Sequence, residues 1–177
     1  MIKKIVLFFA YFAFFILALI YFTPKVSTYY LLETKIEVFD VVVSSEKLTD
    51  NGFSLSIDNA NISVKSIDSA NIGSAIVKVF GIYNLIDLNN ITLSNTAKSF
   101  VPLHVDNVNI VYSILNPLSV RGYGVGEFGE FDANFNLLDR DLYLLLKPSK
   151  KMLINYKSSL KNLNKNDNGE YIYDKTF

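Results

Sequence analysis

The chain has 177 residues, enough for one ordinary domain and an appendage, and half of them are hydrophobic. Seventeen Lys and Arg balance 17 Asp and Glu, so no overall field draws it toward nucleic acid, which is excluded as an expected partner. The absence of cysteine removes disulfides, thiolate metal sites, Cys nucleophiles and lipoprotein acylation, while the wealth of Ile, Val, Phe and Tyr speaks for strands.

The run from Ile5 to Phe22 carries no charge and approaches the ~20 residues that a bilayer-crossing helix needs. Lys3 and Lys4 precede it, so the positive-inside rule predicts a cytoplasmic N-terminus and export of everything after Thr23-Pro24. A cleaved signal peptide is the alternative. It calls for a shorter apolar core and an Ala-x-Ala-like site, whereas this run ends in Ile20-Tyr21-Phe22-Thr23-Pro24-Lys25, so an uncleaved anchor is expected over residues 1–24. Residues 25–34 are expected to prolong that helix or to form a short stalk.

From residue 35 to 177 the pattern predicts a β-rich exported domain. Ile36 to Val43 is β-branched, Asp50-Asn51-Gly52 signals a turn, and Phe53, Leu55 and Ile57 alternate with polar residues. A hexad then recurs: IDNANI at 57–62, IDSANI at 67–72, IDLNNI at 86–91 and VDNVNI at 105–110. Its first and last residues are apolar and five apart, so strict alternation would send them to opposite faces of a strand. Something must shift the phase. Apolar odd positions (Phe53, Leu55, Ile57) do give way to even ones (Ala60, Ile62, Val64), and the Asp/Asn residues between are turn or bulge formers. Each hexad is therefore expected to be a corner or a bulged crossing in a meandering sheet. A second reading makes Asp58, Asp68, Asp87 and Asp106, with Asn61, Asn71, Asn90 and Asn109, a ladder of calcium ligands, but calcium-binding repeats are glycine-rich and strictly periodic.

Further strands are predicted at Ala75–Phe80, Ile91–Leu93, Val108–Tyr112, Phe131–Leu138 and Leu142–Leu146. In the tail, Leu153, Tyr156, Leu160 and Leu163 fall at helical spacing with Ser149 placed to cap them, which predicts an amphipathic helix near 149–164. Six lysines and no acid lie between Leu142 and Asn166. Glu170 to Tyr173 reads as a last strand.

Catalytic signals are weak. Gly124-Val125-Gly126-Glu127-Phe128-Gly129 matches the dinucleotide fingerprint, but strand-like residues follow it where a helix is required, so the glycines are read as clearing a strand face for close packing. His104, the only histidine, could pair with Asp106 and recruit Ser113, yet no nucleophile elbow accompanies them. Asp139/Asp141 and Glu127/Glu130 are read as acids on exposed turns. No cofactor, metal or enzymatic activity is expected.

The single apolar N-terminal segment, the IDNANI, IDLNNI and VDNVNI strands, the GYGVGEFGEF segment and the closing SSLKNLNKNDNGEYIY together resemble the type II secretion system protein N family and the broader AsmA-like envelope proteins. The first resemblance implies a bitopic accessory of secretion machinery in a bacterial inner membrane. The second implies lipid handling through an apolar β groove. The chain is shorter than is usual for either. The fold expected is mainly β: a transmembrane helix, then an elongated antiparallel sheet or flattened sandwich with a C-terminal amphipathic helix. The function expected is a non-catalytic scaffold in a secretion, DNA-uptake or flagellar machine, with a lipid-binding groove as the alternative. Besides the bilayer, met between Ile5 and Phe22, the partners expected are other subunits of an envelope complex. They would dock on the sheet edge and on Lys150, Lys151, Lys157, Lys161, Tyr171 and Tyr173.

Overall fold

In the computed structural model, which describes residues 2–177, the uncharged N-terminal run is one helix, α1 (Ile2–Phe22). From Lys3 to Phe22 it has a mean hydropathy of 2.7 with no part buried, and among the described residues it alone is long and apolar enough to cross a membrane. Ile5 and Phe22 are both exposed. A helix that is apolar all round and, before its last turn, packed against nothing suits a lipid surround, which makes it a membrane anchor.

After Thr23 and Pro24 comes α2 (Lys25–Glu37). Residues 25–34 thus do not space the domain from the anchor. They lie on the first strands, with Val26 and Tyr29 packed against the core. The chain stays helical through Glu37, so the strand expected from Ile36 begins only at Val41, because packing overrides the local β-branched preference.

Eleven strands follow: β1 (Val41–Ser44), β2 (Lys47–Asp50), β3 (Ser54–Val64), β4 (Ile67–Val79), β5 (Tyr83–Leu93), β6 (His104–Ser113), β7 (Ser119–Gly126), β8 (Gly129–Asn136), β9 (Asp141–Pro148), β10 (Asn164–Lys165) and β11 (Tyr171–Thr176). They form one open antiparallel sheet, so the sandwich alternative does not occur. β3 to β9 make an unbroken meander, β11 adds to β9, and β1 and β2 share the free side of β3.

The hexads lie inside β3 to β6, not at corners. What they announced is a line of skipped residues. Asp58 pairs with Ser74 and Ala60 with Ile72, passing over Asn59 and Gly73. Ser74 pairs with Asn89 and Ile72 with Ile91, passing over Asn90; Asn89 pairs with Asn107 and Ile91 with Val105, passing over Asp106. Asn59 (φ 58°) and Asn90 (φ 53°) take the left-handed conformation that asparagine tolerates. Gly73 gives Asn90 room, since a methyl there would stand 2.9 Å from Asn90 Cβ. Across this crease the inward residues jump by three instead of two, at Ile57/Ala60, Ile72/Ala75, Leu88/Ile91 and Val105/Val108. The skip falls at Asn59, Asn90 and Asp106, three different points of their hexads, and at Gly73 just beyond the end of IDSANI, so the repeats share a composition more than a geometry. Their polar members line the outer face, where Asn71 Nδ2 donates to Asn61 Oδ1 (2.6 Å) and Asn107 Nδ2 to Asn89 Oδ1 (2.8 Å).

The predicted C-terminal helix is not formed as one piece. Two short turns, α3 (Lys150–Asn155) and α4 (Lys157–Leu160), are separated at Tyr156 (φ −124°, ψ 33°). Ser149 caps the first as expected, its Oγ accepting from Met152 N at 3.1 Å. The break falls among Asn155, Ser158 and Ser159, weak helix formers, and it lets Met152 and Leu160 both reach the sheet while Leu153 stays exposed.

The glycine-rich motif is a β hairpin, β7 to β8, and not a strand-to-helix turn. Gly124 is paired with Phe131, whose ring lies where a Gly124 side chain would stand.

Candidate functional site

Register places apolar residues in continuous rows on one face of the sheet. One row runs Leu55, Val77, Ile86, Ile110, Gly122, Ala133, Leu144 and Tyr173; the next runs Ile57, Ala75, Leu88, Val108, Gly124, Phe131, Leu146 and Tyr171. α2 covers the β3 end, and α3 with α4 covers the β9–β11 end through Met152 and Leu160. Between these covers Val108 and Ile110 stay half-buried, and Gly122 with Ala133 keeps the floor low. A sheet with one solvated face normally shows water its polar side. Here an apolar trough is left open.

Under α2 the trough holds two adjoining cavities of about 240 Å³ each. One is lined by Ile20 and Thr23 at the end of the anchor, Thr28, Tyr29 and Leu32 of α2, and Leu55, Val77 and Val79 of the sheet. The other continues over Val43, Ile57, Ala60, Ile72, Ala75, Ile86 and Leu88, with Tyr29, Leu32, Glu33 and Ile36 as its roof. Together they reach the scale of small-ligand pockets, roughly 300–1,000 Å³. Tyr29 lines both. Its hydroxyl is buried and has no hydrogen-bond partner among the described residues, an arrangement that leaves one donor and acceptor inside an apolar space. Burial first, then the charges of Glu46 and Glu33, push the Tyr29 pKa up to about 12, so the hydroxyl keeps its proton.

Glu33 is itself raised, by burial first and then by Glu46 and Glu37. An acid with a raised pKa favours the folded state while it is protonated, and that contribution is lost as pH rises through its folded pKa. Glu33→Gln is therefore expected to raise the melting temperature of the full chain in detergent at neutral pH. The gain should vanish below a pH of about 4, where Glu33 is protonated in both states; a variant equally stabilised at both pH values contradicts this account.

The anchor meets the trough through Lys25, which is 6% exposed. Its ammonium donates to the carbonyls of Ile20 (3.0 Å), Tyr21 (3.4 Å) and Thr23 (3.1 Å), closing the C-terminal end of α1, and stands 3.7 Å from Asp50 Oδ1. The Lys25 backbone N–H donates to Asp50 Oδ2 at 3.1 Å. Asp50 is held below the usual carboxylate range, first by the Gly52 N–H and then, against some desolvation, by Lys25.

No known protein family, curated protein or solved structure matches the chain. The local chemistry is therefore the whole basis for judging the other residues singled out in the sequence. His104 Nε2 does lie 3.2 Å from Asp106 Oδ1, both facing solvent, but Ser113 sits at the opposite end of β6 and donates to Ile82 O. Asp68 accepts from Ser63 and Asp87 from Lys78, and among the described residues no three His, Asp or Glu side chains gather as a metal would need. Asp139 accepts from Asn136, Asp141 from Thr176, and Glu127 is paired with Lys151 at 2.6 Å. Of the residues expected to meet a partner, Lys150 is exposed and Lys157 and Lys161 border a shallow cleft with Leu153, Leu160 and Tyr171. Tyr171 and Tyr173 share a face as expected, but that face is the trough, and Tyr171 packs into the core. Spacing alone did not reveal Lys25, Tyr29 or the trough. A lysine directly after a span and a Pro, and a Tyr pair in the segment that follows, were the signals.

Proposed function

We propose that this is a bitopic protein of a bacterial inner membrane, with its N-terminus in the cytoplasm and its β domain in the periplasm, whose trough holds an acyl chain of a membrane lipid. The observation that carries this reading is the cavity formed jointly by the last turn of the anchor and the apolar face of the sheet, through which a chain can pass sideways out of the bilayer without crossing water. Tyr29 then donates to an ester carbonyl of the lipid, which gives the buried hydroxyl its partner. The AsmA-like side of the sequence resemblance agrees with this use of an apolar β groove. The test is lipid analysis of the full chain extracted in a mild detergent, with one glycerolipid per chain expected and its absence deciding against the trough as a lipid site.

A scaffold role in an envelope complex is the second reading, favoured by the lysine-bordered cleft of Leu153, Lys157, Leu160, Lys161 and Tyr171. The sheet edges suit it less, since β10 has two residues and β1 and β2 are separated at Ser45 (φ 66°). Removing residues 166–177 would strip β11 from β9 and unfold the cleft with it, so charge reversal is the cleaner test. If this reading holds, Lys157→Glu with Lys161→Glu abolishes in-cell crosslinks to envelope subunits while leaving the melting temperature within about 2 °C; undiminished crosslinks exclude the cleft.

A further inference from the structure

In an antiparallel meander every second turn falls at the same end, and here that end carries the anchor. The turns there are Asn51–Phe53, Phe80–Ile82, Ile114–Leu118 and Leu137–Arg140. They are joined sideways by backbone hydrogen bonds: Val79 N to Phe53 O (3.0 Å), Ile114 N to Ile82 O (3.0 Å), Leu137 N to Leu118 O (2.8 Å) and Phe177 N to Arg140 O (3.0 Å). Turns of this kind normally carry polar residues. These carry Phe80 (50% exposed), Ile82 (56%), Leu115 (82%) and Leu138 (70%), and the first three hold no charge at all. The turns at the other end contain Lys65, Lys98, Glu127, Lys150 and Lys151, although Phe100 (65% exposed) and, beside Lys65, Phe39 (74%) are apolar there too. What separates the two ends is charge: the turns at the anchor end are nearly free of it, and those at the other, more polar end are not.

The apolar end is continuous with the span. The Tyr21 ring lies 5.3 Å from that of Phe53, which stacks on Phe80 at 6.4 Å. A methyl on Gly81 would stand 3.3 Å from Ile20 Cδ1. Ile20 and Tyr21 belong to the last turn of α1, so the Phe80–Ile82 turn sits at the level where the anchor leaves the bilayer. We propose that this row of turns is a second membrane contact, in which the hairpin tips rest in the interface of the leaflet that the anchor exits and hold the sheet upright with its trough mouth at the lipid surface. Apolar side chains at that depth enter the boundary between headgroups and acyl chains. Each strand is rotated from the last by about 20–25°, so the tips nearest the anchor point most nearly along it and those beyond β8 tilt away. Ile82 and Leu115 are then deepest, and Leu138 is shallower.

The inference shares with the proposed function only the reading of α1 as an anchor. Its test measures depth, not lipid content, so either can fail alone. Because the chain has no cysteine, single nitroxide labels can be placed at Ile82→Cys, Leu115→Cys, Leu138→Cys and, at the polar end, Ser66→Cys and Asn95→Cys. The full chain is reconstituted into vesicles of phosphatidylethanolamine and phosphatidylglycerol, and collisions with oxygen are compared with those of a water-soluble nickel chelate. The expected result is an oxygen-to-nickel ratio several-fold higher at Ile82 and Leu115 than at Ser66 and Asn95, with Leu138 between. Aqueous ratios at Ile82 and Leu115 overturn the proposal. So does shielding from both reagents that disappears when the protein is diluted in lipid, since that would assign the row to a second copy of the chain.

Discussion

Lys25→Met is expected to lower the stability of the full chain by about 2–3 kcal/mol, the range for losing a hydrogen-bonded charge at a mostly buried site. The methionine keeps the packed stem but removes the ammonium from three carbonyls at the end of α1. Asp50 stays behind with the Gly52 N–H and the Lys25 backbone N–H as donors, so the β2–β3 turn should survive while the helix junction loosens. Thermal unfolding in detergent measures the first effect, and protease sensitivity between Thr23 and Thr28 measures the second. pH adds a check with a defined sign. Asp50 has a depressed pKa in the fold, so its contribution is present above the ordinary carboxylate range and is lost as pH falls through the folded value. The gap between wild type and Lys25→Met should therefore narrow in acid. A variant as stable as the wild type would show that Lys25 is incidental to the junction, and a gap that widens in acid would show that Asp50 is not its working partner.

The strand series was legible because alternation is a strong local signal. Leu55 and Ile57 do face the core side, and the change of phase to Ala60 and Ile62 is real, while Phe53 lies in the turn before β3 against Tyr21 and Phe80. What alternation could not show is that Asn59, Gly73, Asn90 and Asp106 fall in one line, because that depends on register between strands 10 or more residues apart in sequence. That α2 is a separate helix packed on the first strands, and not a prolongation of the anchor or a stalk, escaped notice for a different reason. Its Tyr29, Leu32 and Ile36 have helical spacing, but Tyr30 and Leu31 blur the apolar stripe and Ile36 reads as the start of the β-branched run. The C-terminal helix was over-read from four residues at the right spacing, although Asn155, Ser158 and Ser159 weaken its middle. The apolar turns are hidden in the sequence, where Phe80 reads as the end of the strand from Ala75, and only the meander puts them at the end where α1 arrives.

Filling the trough separates a ligand site from a loosely packed sheet. Ala75 is 4% exposed, sits between Ile57 and Leu88 on the trough floor and lines the cavity under α2, so Ala75→Trp places an indole where the proposed acyl chain lies. The neighbouring Ile76 points to the outer face, opposite Ser56 and Asp87, and Ile76→Trp adds a ring of the same size outside the trough. Overpacking costs about 1–3 kcal/mol, so both chains are expected to fold. The indole at residue 75 should reduce co-purified glycerolipid at least tenfold, whereas the one at residue 76 should leave it near the wild-type amount, a contrast that corresponds to about 1.4 kcal/mol or more of binding. Lipid retained by Ala75→Trp would place the bound chain elsewhere, around α1 alone. Equal loss in both variants would mean that the sheet's stability, not the trough, governs lipid content. Only loss confined to position 75 ties the bound lipid to the space between α2 and the apolar rows.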